Sequence, residues 1–447
     1  MFASYLPEAS IGKLVDSVVL EEQRHMSQVQ PQVATEAEVY PRYRWVMVSL
    51  LILAQEIAVL LPMGMLLPSM RKDLGFGIAQ GGLLSSMMQL ASVLLAIPFS
   101  LLLVRFSPRW VYLVALLLAS VASFIAGRAI SLVTLLIPYF AMGIAGAMRQ
   151  VPDTLLKLQW VPKHEFGRVM GMTTGMTTVG QSLAVISVPF LLIILGGWRG
   201  MLSLFSIGMF TVAVIWLILG RQRITPTYRD GMSKGNRASL KSIIKRKEII
   251  MLAMAVFGLA VAYMSFQLFL PTFLLEQRGI PLTTVGFIVS LLPIGGTCGS
   301  LASGFISDKI GLRKPAIWPQ GFVLPLLFFT AVSPVPIWIL PVLMFILGFV
   351  AWSSFAVMRI IPFELPGMKP SEVAVGQSVF QMMMTLGGVI GMPLVGRIAE
   401  SIGLGRSLYI AGFLSLTVAI MGLLIPETGP KAAAKKAGEA ATEISLQ

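Results

Sequence analysis

The sequence predicts an all-α membrane protein in which twelve transmembrane helices form two six-helix bundles with pseudo-two-fold symmetry. The first indication is composition: of 447 residues, 56% are hydrophobic and 12% are charged, against about 25% charged residues in soluble chains. The second is that the hydrophobic residues gather into segments of about 20, the length that a membrane helix needs. The third is a basic stretch that divides these segments into two sets of six.

Each predicted span is a mostly apolar segment of membrane-crossing length. The twelve segments cover residues 45–68, 81–104, 110–127, 132–156, 169–196, 201–219, 249–274, 284–307, 315–332, 337–361, 373–396 and 406–425. We therefore expect an N-terminal tail at 1–44, a first bundle at 45–219, a linker at 220–248, a second bundle at 249–425 and a C-terminal tail at 426–447.

Positive charge is distributed unevenly across the predicted membrane. The net charge is +14, and with both termini inside, the inner tails and loops hold 25 Lys and Arg residues against 7 in the outer loops. This bias predicts a multi-pass protein of the plasma (cell inner) membrane with both termini cytoplasmic. Because the basic residues stand in short runs between apolar segments, they are expected to face the lipid bilayer, and no nucleic acid partner is predicted.

Residues that carry metal and thiol chemistry are scarce. Cys298 is the only cysteine, which excludes an intrachain disulfide and a Cys-based metal cluster. The two histidines, His25 and His164, lie outside the apolar segments. The chain contains no G-x-x-x-x-G-K-[ST] loop, so ATP hydrolysis is not expected. We predict no catalytic residues, no metal site, no cofactor and a protein that is not an enzyme.

A short segment repeats between the two halves. Arg149-Gln-Val-Pro152 lies near the predicted cytoplasmic end of the fourth span, and Arg359-Ile-Ile-Pro362 lies in the same place in the tenth. In both halves a short loop with Pro and Glu follows, and then a Gly-rich helix. Many secondary transporters are built from such six-plus-six repeats, with two bundles that move about a central site.

The most specific motif joins the eighth and ninth spans. It reads Gly304-Phe-Ile-Ser-Asp308-Lys309-Ile-Gly311-Leu-Arg313-Lys314. This stretch resembles the G-x-x-x-D-[RK]-x-G-[RK]-[RK] loop of the major facilitator superfamily, and the resemblance covers residues 45–428. It implies the two-bundle fold of that family and transport by alternating access, with this gating loop bracing the cytoplasmic gate. Positive-inside charge alone would explain the Lys and Arg but not the spacing of Gly and Asp.

The corresponding stretch of the first half departs from the family pattern. Val104 stands where the family has Asp, and Ser107 stands where it has Gly. We therefore expect the first half to make a weaker or differently built contact at the gate.

Glu56 is an ionisable residue about midway along the first predicted span. Ionisable groups at that depth are costly, which makes them candidates for function. A carboxylate that can be protonated and ionised in turn suits coupling to H+. The alternative is a structural Glu that pairs with a Gln or Arg of another helix, and the sequence leaves both interpretations open.

Arg149 and Arg359 are the second pair of candidates. Two guanidinium groups related by the repeat, one in each bundle, could hold an anion between them. Both lie near the cytoplasmic ends of their spans, where an Arg can also extend to the interface at little cost. Asp153, one turn beyond Arg149, could neutralise it by an i,i+4 pair.

Neutral polar side chains complete the candidate set. The substrate or coupling candidates among them are Gln181, Gln267, Gln381 and Tyr263, and further cavity-lining candidates are Gln89, Thr174, Thr178 and Gln377. Hydroxyl groups in membrane helices often bond to their own backbone, so a single Thr is weak evidence. The 27 Met residues could form an adaptable apolar wall or serve as ordinary packing residues.

Together these features predict a monomeric secondary active transporter of a small molecule, with H+ as the coupling ion. Arg149 and Arg359 favour a small organic or inorganic anion as substrate. Nitrate itself is disfavoured, because the Gly-rich signature ending in Asn that nitrate carriers of the superfamily contain is absent. The alternative is a drug or lipophilic-cation exporter, which the Met content and Glu56 would suit. A membrane receptor or scaffold without transport is the alternative of another class.

Overall fold

The computed structural model describes residues 42–102, 106–223, 246–365, 368 and 370–431. The described helices are α1 Tyr43–Ala58, α2 Met63–Leu74, α3 Ile78–Leu102, α4 Pro108–Ala126, α5 Leu132–Trp160, α6 Lys163–Ile194, α7 Trp198–Leu219, α8 Lys247–Thr272, α9 Leu282–Ile310, α10 Trp318–Val332, α11 Ile339–Met358, α12 Ile361–Glu364, α13 Pro370–Ile402, α14 Leu404–Phe413 and α15 Leu416–Leu424. A π-turn, Phe273–Gln277, extends α8, and a 3-10 turn, Lys314–Ala316, precedes α10. Within the described ranges, twelve helical stretches are long and apolar enough to cross a membrane.

The observed spans coincide with the twelve predicted segments but differ at their ends. The α2 helix continues to Leu74 and α13 continues to Ile402, so Arg71, Lys72 and Arg397 lie on helices rather than in the predicted outer loops. The reason is that a helix continues past the apolar segment until a stop signal; Gly75, with φ 68°, ends α2 in this way. The predicted tails and linker fall largely outside the described residues, as does Val104.

The first span is broken in its middle. Its α1 helix ends at Ala58, residues 59–62 are not helical, and α2 begins after Pro62. Proline has no backbone N–H and disfavours helical geometry at the residue before it, which here is Leu61. Non-helical backbone at membrane depth is tolerated where it is buried in protein or lines a cavity. This break lies beside a cavity that Val59, Leu61 and Pro62 help to line.

Helix packing follows the repeat. In the first half α4 packs on α5 and α7, and α3 packs on α5; in the second half α9 packs on α11, and α8 packs on α13 and α15. Between the halves, α3 of the second span packs on α13 of the eleventh, and α6 of the fifth packs on α9 of the eighth. These two contacts are equivalent under the six-plus-six repeat, as expected for two bundles related by a pseudo-two-fold axis.

The two bundles meet closely at one end. We call the end where α1 begins and α15 ends the terminal end, and the end that contains Gly75 and Gly403 the opposite end. Toward the opposite end, a Cβ on Gly396 would lie 2.8 Å from Ala79 Cα, and one on Gly82 would lie 2.9 Å from the nitrogen of Pro393. Small residues permit this close approach of helices in a membrane. The described structure is therefore closed between the bundles at the opposite end.

Candidate functional site

A central cavity of about 330 Å³ lies between the bundles, beside the break in the first span. Residues 58, 59 and 61–65 of that span form one wall, and α3, α6 and α8 supply others. Gln89, Gln181 and Gln267 bring carboxamide groups to its lining from α3, α6 and α8. The structure thus brings together two of the predicted substrate candidates, Gln181 and Gln267, with Gln89. Each carboxamide offers both donors and an acceptor to a polar ligand.

The rest of the cavity wall is mostly apolar. Five methionines contribute to it: Met63, Met65, Met88, Met264 and Met392. Met side chains are flexible and adapt to ligands of irregular shape. The cavity therefore combines a soft apolar wall with a small number of polar groups, which is the usual composition of a small-molecule site.

Glu56 lies on α1, two residues before the helix ends and one turn from the cavity wall. Its Oε1 atom is buried and has no hydrogen-bond partner among the residues that the structure describes. The Thr177 hydroxyl lies beside the carboxyl group. A Cβ added to Gly180 of α6 would overlap the carboxyl group, so a larger residue at position 180 would require the end of the Glu56 side chain to move.

Arg149 of α5 contacts the same part of α1. Its Nη1 atom donates to the backbone oxygen of Ala54 at 2.7 Å, and its guanidinium also lies beside the hydroxyl of Tyr112. Asp153 does not form the ion pair with Arg149 that the sequence suggested; it accepts from Lys157 at 2.7 Å, also an i,i+4 pair. The Lys157 side chain is only 2% exposed, so it has the greater need of a counter-charge.

Arg359 occupies a different environment. It caps the C-terminus of α11, is exposed, and lies over the ring of Phe355 at 5.9 Å from the ring centroid. Its backbone oxygen accepts from Gln377 Nε2 at 2.5 Å. The two arginines of the repeat are thus held by different partners: Arg149 contacts the first span, whereas Arg359 contacts residues of its own bundle.

The remaining polar candidates lie outside the lining of the central cavity. Tyr263 is buried and packs edge-to-face on Trp352, with ring centroids 6.0 Å apart, in a small apolar pocket next to Met264. Gln381 is exposed on α13. The hydroxyls of Thr174 and Thr178 donate to backbone oxygens one turn back on α6, at 3.0 and 3.2 Å.

The gating loop forms a charge network at the terminal end. Arg313 is 5% exposed and donates from Nη1 to Asp308 at 2.7 Å. Its Nε lies 3.0 Å from both carboxylate oxygens of Glu364, and its Nη2 lies 2.5 Å from one of them. The Glu364 carboxylate raises the pKa of Arg313 further above its ordinary value, and Asp308 adds to this effect. The arginine is therefore a permanently charged bridge between the loop and α12.

Other residues of the gating loop join the same end of the second half. Gly311 ends α9 with φ 74°, a conformation that favours glycine, and its carbonyl accepts from the backbone of Lys431 at 3.1 Å. Lys314 donates from Nζ to the carbonyl of Leu423 at 2.7 Å. Lys309 is exposed, and Gly304 has no atom within 4 Å of its Cβ position, so none of the described helices approaches Gly304 closely in this conformation.

Two polar contacts between the bundles at the opposite end were not anticipated from the sequence. Arg71 of α2 donates to both carboxylate oxygens of Glu276 at 3.1 Å, and the backbone N–H of Ala79 donates to Glu400 at 3.1 Å. In the sequence these residues are only charges near the ends of apolar segments. Their pairing depends on how the two bundles meet, which no local pattern reports.

Comparison with known proteins identifies the family. The sequence profile of the Major Facilitator Superfamily matches residues 46–368. The chain is 25% identical to a probable nitrate/nitrite antiporter of Thermus thermophilus, over 65% of this chain and 66% of that protein. It is 23% identical to a hexuronate transporter of Bacillus subtilis, over 59% of this chain and 64% of that protein. The matched region thus spans just under two thirds of the length of each relative.

Solved structures agree on the fold. A bacterial homologue of the human lysosomal transporter Spinster, in an inward-facing and occupied conformation, superposes with a TM-score of 0.76 at 16% sequence identity. The superposition covers 86% of this chain and 97% of that chain. The profile match and the two-bundle architecture together show that the chain is a multi-pass membrane protein that belongs to the Major Facilitator Superfamily, a family of transporters rather than enzymes.

Proposed function

We propose that this protein is a secondary active transporter that moves a small organic or inorganic anion through the central cavity by alternating access, coupled to H+. The observation that carries this proposal is the contact of Arg149 with α1 at Ala54, two residues from Glu56. This contact brings a fixed positive charge to the same stretch of α1 that carries the protonatable group, next to the cavity, although neither side chain belongs to the cavity lining. The two relatives named above support an anionic substrate, because the names of both refer to anions.

Arg149 supplies the attraction for an anion. Its Nη1 is bonded to a neutral carbonyl, and none of the carboxylates that the structure describes forms an ion pair with it. A neutral acceptor leaves the guanidinium charge uncompensated, and charge interactions in a region of low dielectric constant are strong. The guanidinium fork matches a carboxylate, a phosphate or a nitrate through two parallel N–H groups.

The cavity supplies hydrogen bonds for the remainder of the substrate. Gln89, Gln181 and Gln267 converge from three helices, and the non-helical residues Val59, Leu61 and Pro62 line the cavity beside them. Broken helices near the bilayer midplane recur at the substrate sites of secondary transporters. A substrate with one acidic group and several hydroxyl groups would use all of these features, so we favour a sugar acid over a monatomic or purely apolar anion.

Glu56 is the group that we propose to carry the proton. Its buried Oε1 has no partner among the described residues, so an ionised carboxylate there would be poorly solvated. The polar Thr177 hydroxyl beside it can donate to the ionised form or accept from the protonated form. A carboxyl in this position can change its protonation when the cavity opens to one side of the membrane or the other, which coupling requires.

The orientation follows from the charge bias of the loops. We propose that both termini face the cytoplasm of a monomer in the plasma (cell inner) membrane, which makes the terminal end cytoplasmic. The conformation described, closed at the opposite end, is then closed to the outside. Reporters that are active only in the cytoplasm or only in the periplasm can be fused after Arg71, Arg246 and Lys431. The fusion after Arg71 should report an outside location, and the fusions after Arg246 and Lys431 should report a cytoplasmic location. An outside signal at Lys431 would overturn the orientation.

The gating loop is proposed to stabilise the cytoplasmic ends of the second bundle. The Arg313 bridge to Asp308 and Glu364 joins the loop after α9 to α12, and the Glu427 carboxylate accepts from the backbone N–H of Arg313 at 2.5 Å. We infer that this network moves as one unit when the cytoplasmic gate opens and closes. Its effect is on the rate of the conformational change rather than on substrate recognition.

A specific observation favours one alternative function. Five methionines line the central cavity and the half-buried carboxylate of Glu56 lies one turn away, which would suit a lipophilic cation. In that case Glu56 would attract the substrate, and Arg149 would serve to hold α1 in place. The two functions predict opposite charge selectivity.

Net flux in proteoliposomes tests the proposal. Purified protein is reconstituted, a pH gradient is imposed, and uptake of radiolabelled D-glucuronate, nitrate and glucose 6-phosphate is compared with uptake of cationic dyes. We expect at least one anion to be concentrated against its gradient in a manner abolished by a protonophore. Transport of dyes without transport of any anion would contradict the proposal of an anionic substrate and support the lipophilic-cation transporter.

A further inference from the structure

A second cavity lies between the bundles at the opposite end. It has a volume of about 500 Å³ and is lined by α2, Phe76, the π-turn after α8 and the first residue of α9. Its charged lining residues are Arg71 and Lys72 from the first half and Glu276 from the second. The lining therefore carries two positive charges and one negative charge. We call this cavity the vestibule.

The Arg71–Glu276 pair crosses the vestibule and leaves most of the Arg71 donors unused. Only Nη1 of Arg71 reaches the Glu276 carboxylate, at 3.1 Å to each oxygen. The Nε atom of Arg71 is buried and has no hydrogen-bond partner in the described part of the chain. A guanidinium has five N–H donors and binds a carboxylate best through two of its nitrogens. Glu276 is thus an incomplete partner for Arg71.

The other charges near the vestibule do not neutralise it. Asp73 follows Lys72 directly, but its carboxylate is bonded to Arg199 and, at 3.0 Å, to Trp198 Nε1. Lys72 is exposed, and none of the carboxylates that the structure describes pairs with it. The vestibule consequently retains an excess of positive charge on α2.

We infer that Arg71 and Lys72 form a second anion-binding site in the vestibule, and that Glu276 occupies Arg71 as an internal competitor while the bundles are closed at this end. The site would take a small anion with a carboxylate, phosphate or nitrate group. This inference rests on the proposed function, since it assigns to the anionic substrate a first binding step before the central cavity.

The alternation of the transporter between conformations that are open and closed at the opposite end would regulate this second anion site. Arg71 and Glu276 belong to different bundles, so opening the opposite end separates them and leaves Arg71 free to bind an incoming anion. Closing returns the Glu276 carboxylate to Arg71, which displaces the anion from the vestibule. The competing interpretation is that the pair only holds the bundles together and that no anion binds there.

Two substitutions separate these interpretations, because they remove opposite charges from one pair. If the pair only holds the bundles together, Arg71→Gln and Glu276→Gln have the same effect on anion binding, since each weakens the same ion pair. If Arg71 binds anions, Glu276→Gln strengthens anion binding, whereas Arg71→Gln weakens it. Glu400→Gln is the matched control, since it removes a negative charge from the same end of the molecule, at a residue that also contacts the other bundle, and leaves the vestibule charges unchanged.

Cysteine protection measures binding without transport. In a Cys298→Ala background, Ser69→Cys places a single thiol in the vestibule lining. The rate of its alkylation by a maleimide is measured in detergent micelles with increasing D-glucuronate or nitrate, and with D-glucose as the neutral control. Anion-dependent shifts in melting temperature of the same variants provide a second readout.

We expect at least one of the two anions to slow alkylation and D-glucose to have no effect. Glu276→Gln should lower the half-protecting concentration by about fivefold, the scale of one partly exposed charge pair, and Arg71→Gln should raise it at least as much. Glu400→Gln should change it by less than Glu276→Gln does. Absence of protection by both anions, or shifts in the same direction in both variants, would overturn the inference. Protection without anion flux would instead reject the proposed function and leave this site standing.

Discussion

Arg149 donates a hydrogen bond of 2.7 Å to the backbone carbonyl of Ala54, which joins the fourth span to the first just before the first span breaks. The contact fixes the position of Glu56 relative to a guanidinium without an ion pair between the two in the described structure. A carboxyl and an arginine near each other, but bonded to other groups, can respond separately to a proton and to an anion. This separation is the structural basis of the proposed coupling.

Arg149 and Arg359 should differ in their effect on transport although the repeat relates them. Arg149→Gln is expected to raise the half-saturating anion concentration by about tenfold or more, because a charge-assisted contact to the substrate is lost. Arg359→Gln should change it by about threefold or less, since its side chain is exposed over Phe355. The half-saturating concentrations of the two variants are measured from the rate of anion uptake over a series of anion concentrations. Equal effects in the two variants would instead indicate an anion held between both arginines.

Gly180→Ala should impair coupled transport. The added methyl group would overlap the Glu56 carboxyl and force it away from Thr177. Gly175→Ala is the matched control on the same helix, because nothing lies within 4 Å of its Cβ position. Uptake driven by a pH gradient should fall at least about tenfold in the first variant and stay near the wild-type rate in the second. Equal rates in the two variants would show that the position of Glu56 is not important.

The carboxamides of the central cavity should contribute to substrate binding. Gln181→Leu and Gln267→Leu each remove donors and an acceptor from the lining, which is expected to raise the half-saturating concentration about tenfold. Gln381→Leu is the comparison, because Gln381 is exposed on α13 outside this lining. A larger effect at Gln381 than at Gln181 would place the substrate elsewhere.

Neutralising the two acidic partners of Arg313 should have different effects on stability and on the transport rate. Glu364 is 20% exposed and makes three of the contacts, so Glu364→Gln should lower the free energy of unfolding by about 2–4 kcal/mol. Asp308 is 68% exposed, so Asp308→Asn should cost less than about 1 kcal/mol but slow transport. Thermal unfolding in detergent and uptake rates measure the two effects. Wild-type uptake by Asp308→Asn at normal expression would argue against a gating role.

Local sequence patterns were sufficient to predict the twelve spans and the family. Long apolar segments specify membrane helices because few other structures satisfy the backbone in lipid. The motif from Gly304 to Lys314 indicated the family, but it did not specify that Asp308 pairs with Arg313. The fold class and the family were predicted correctly for this reason.

Long-range pairings could not be read from the sequence. Asp153 had both Arg149 and Lys157 at i,i+4 distance, and only the burial of Lys157 in the folded bundle decides between them. The same holds for the Gly180 contact of Glu56 and for Arg71–Glu276, which depend on how helices far apart in the chain approach each other. Predicted roles for Tyr263 and Gln381 rested on polarity alone, which does not report the direction of a side chain.

The most direct test of the account is proton-driven accumulation by Glu56→Gln. Proteoliposomes containing the wild type or this variant are loaded with unlabelled anion to measure exchange, or subjected to an imposed pH gradient to measure accumulation. Because Gln is close in size to Glu but cannot carry the coupled proton, the variant should retain anion exchange within about threefold of wild type and lose accumulation driven by the pH gradient. Accumulation at the wild-type level in Glu56→Gln would contradict the account and would make Glu56 a structural residue.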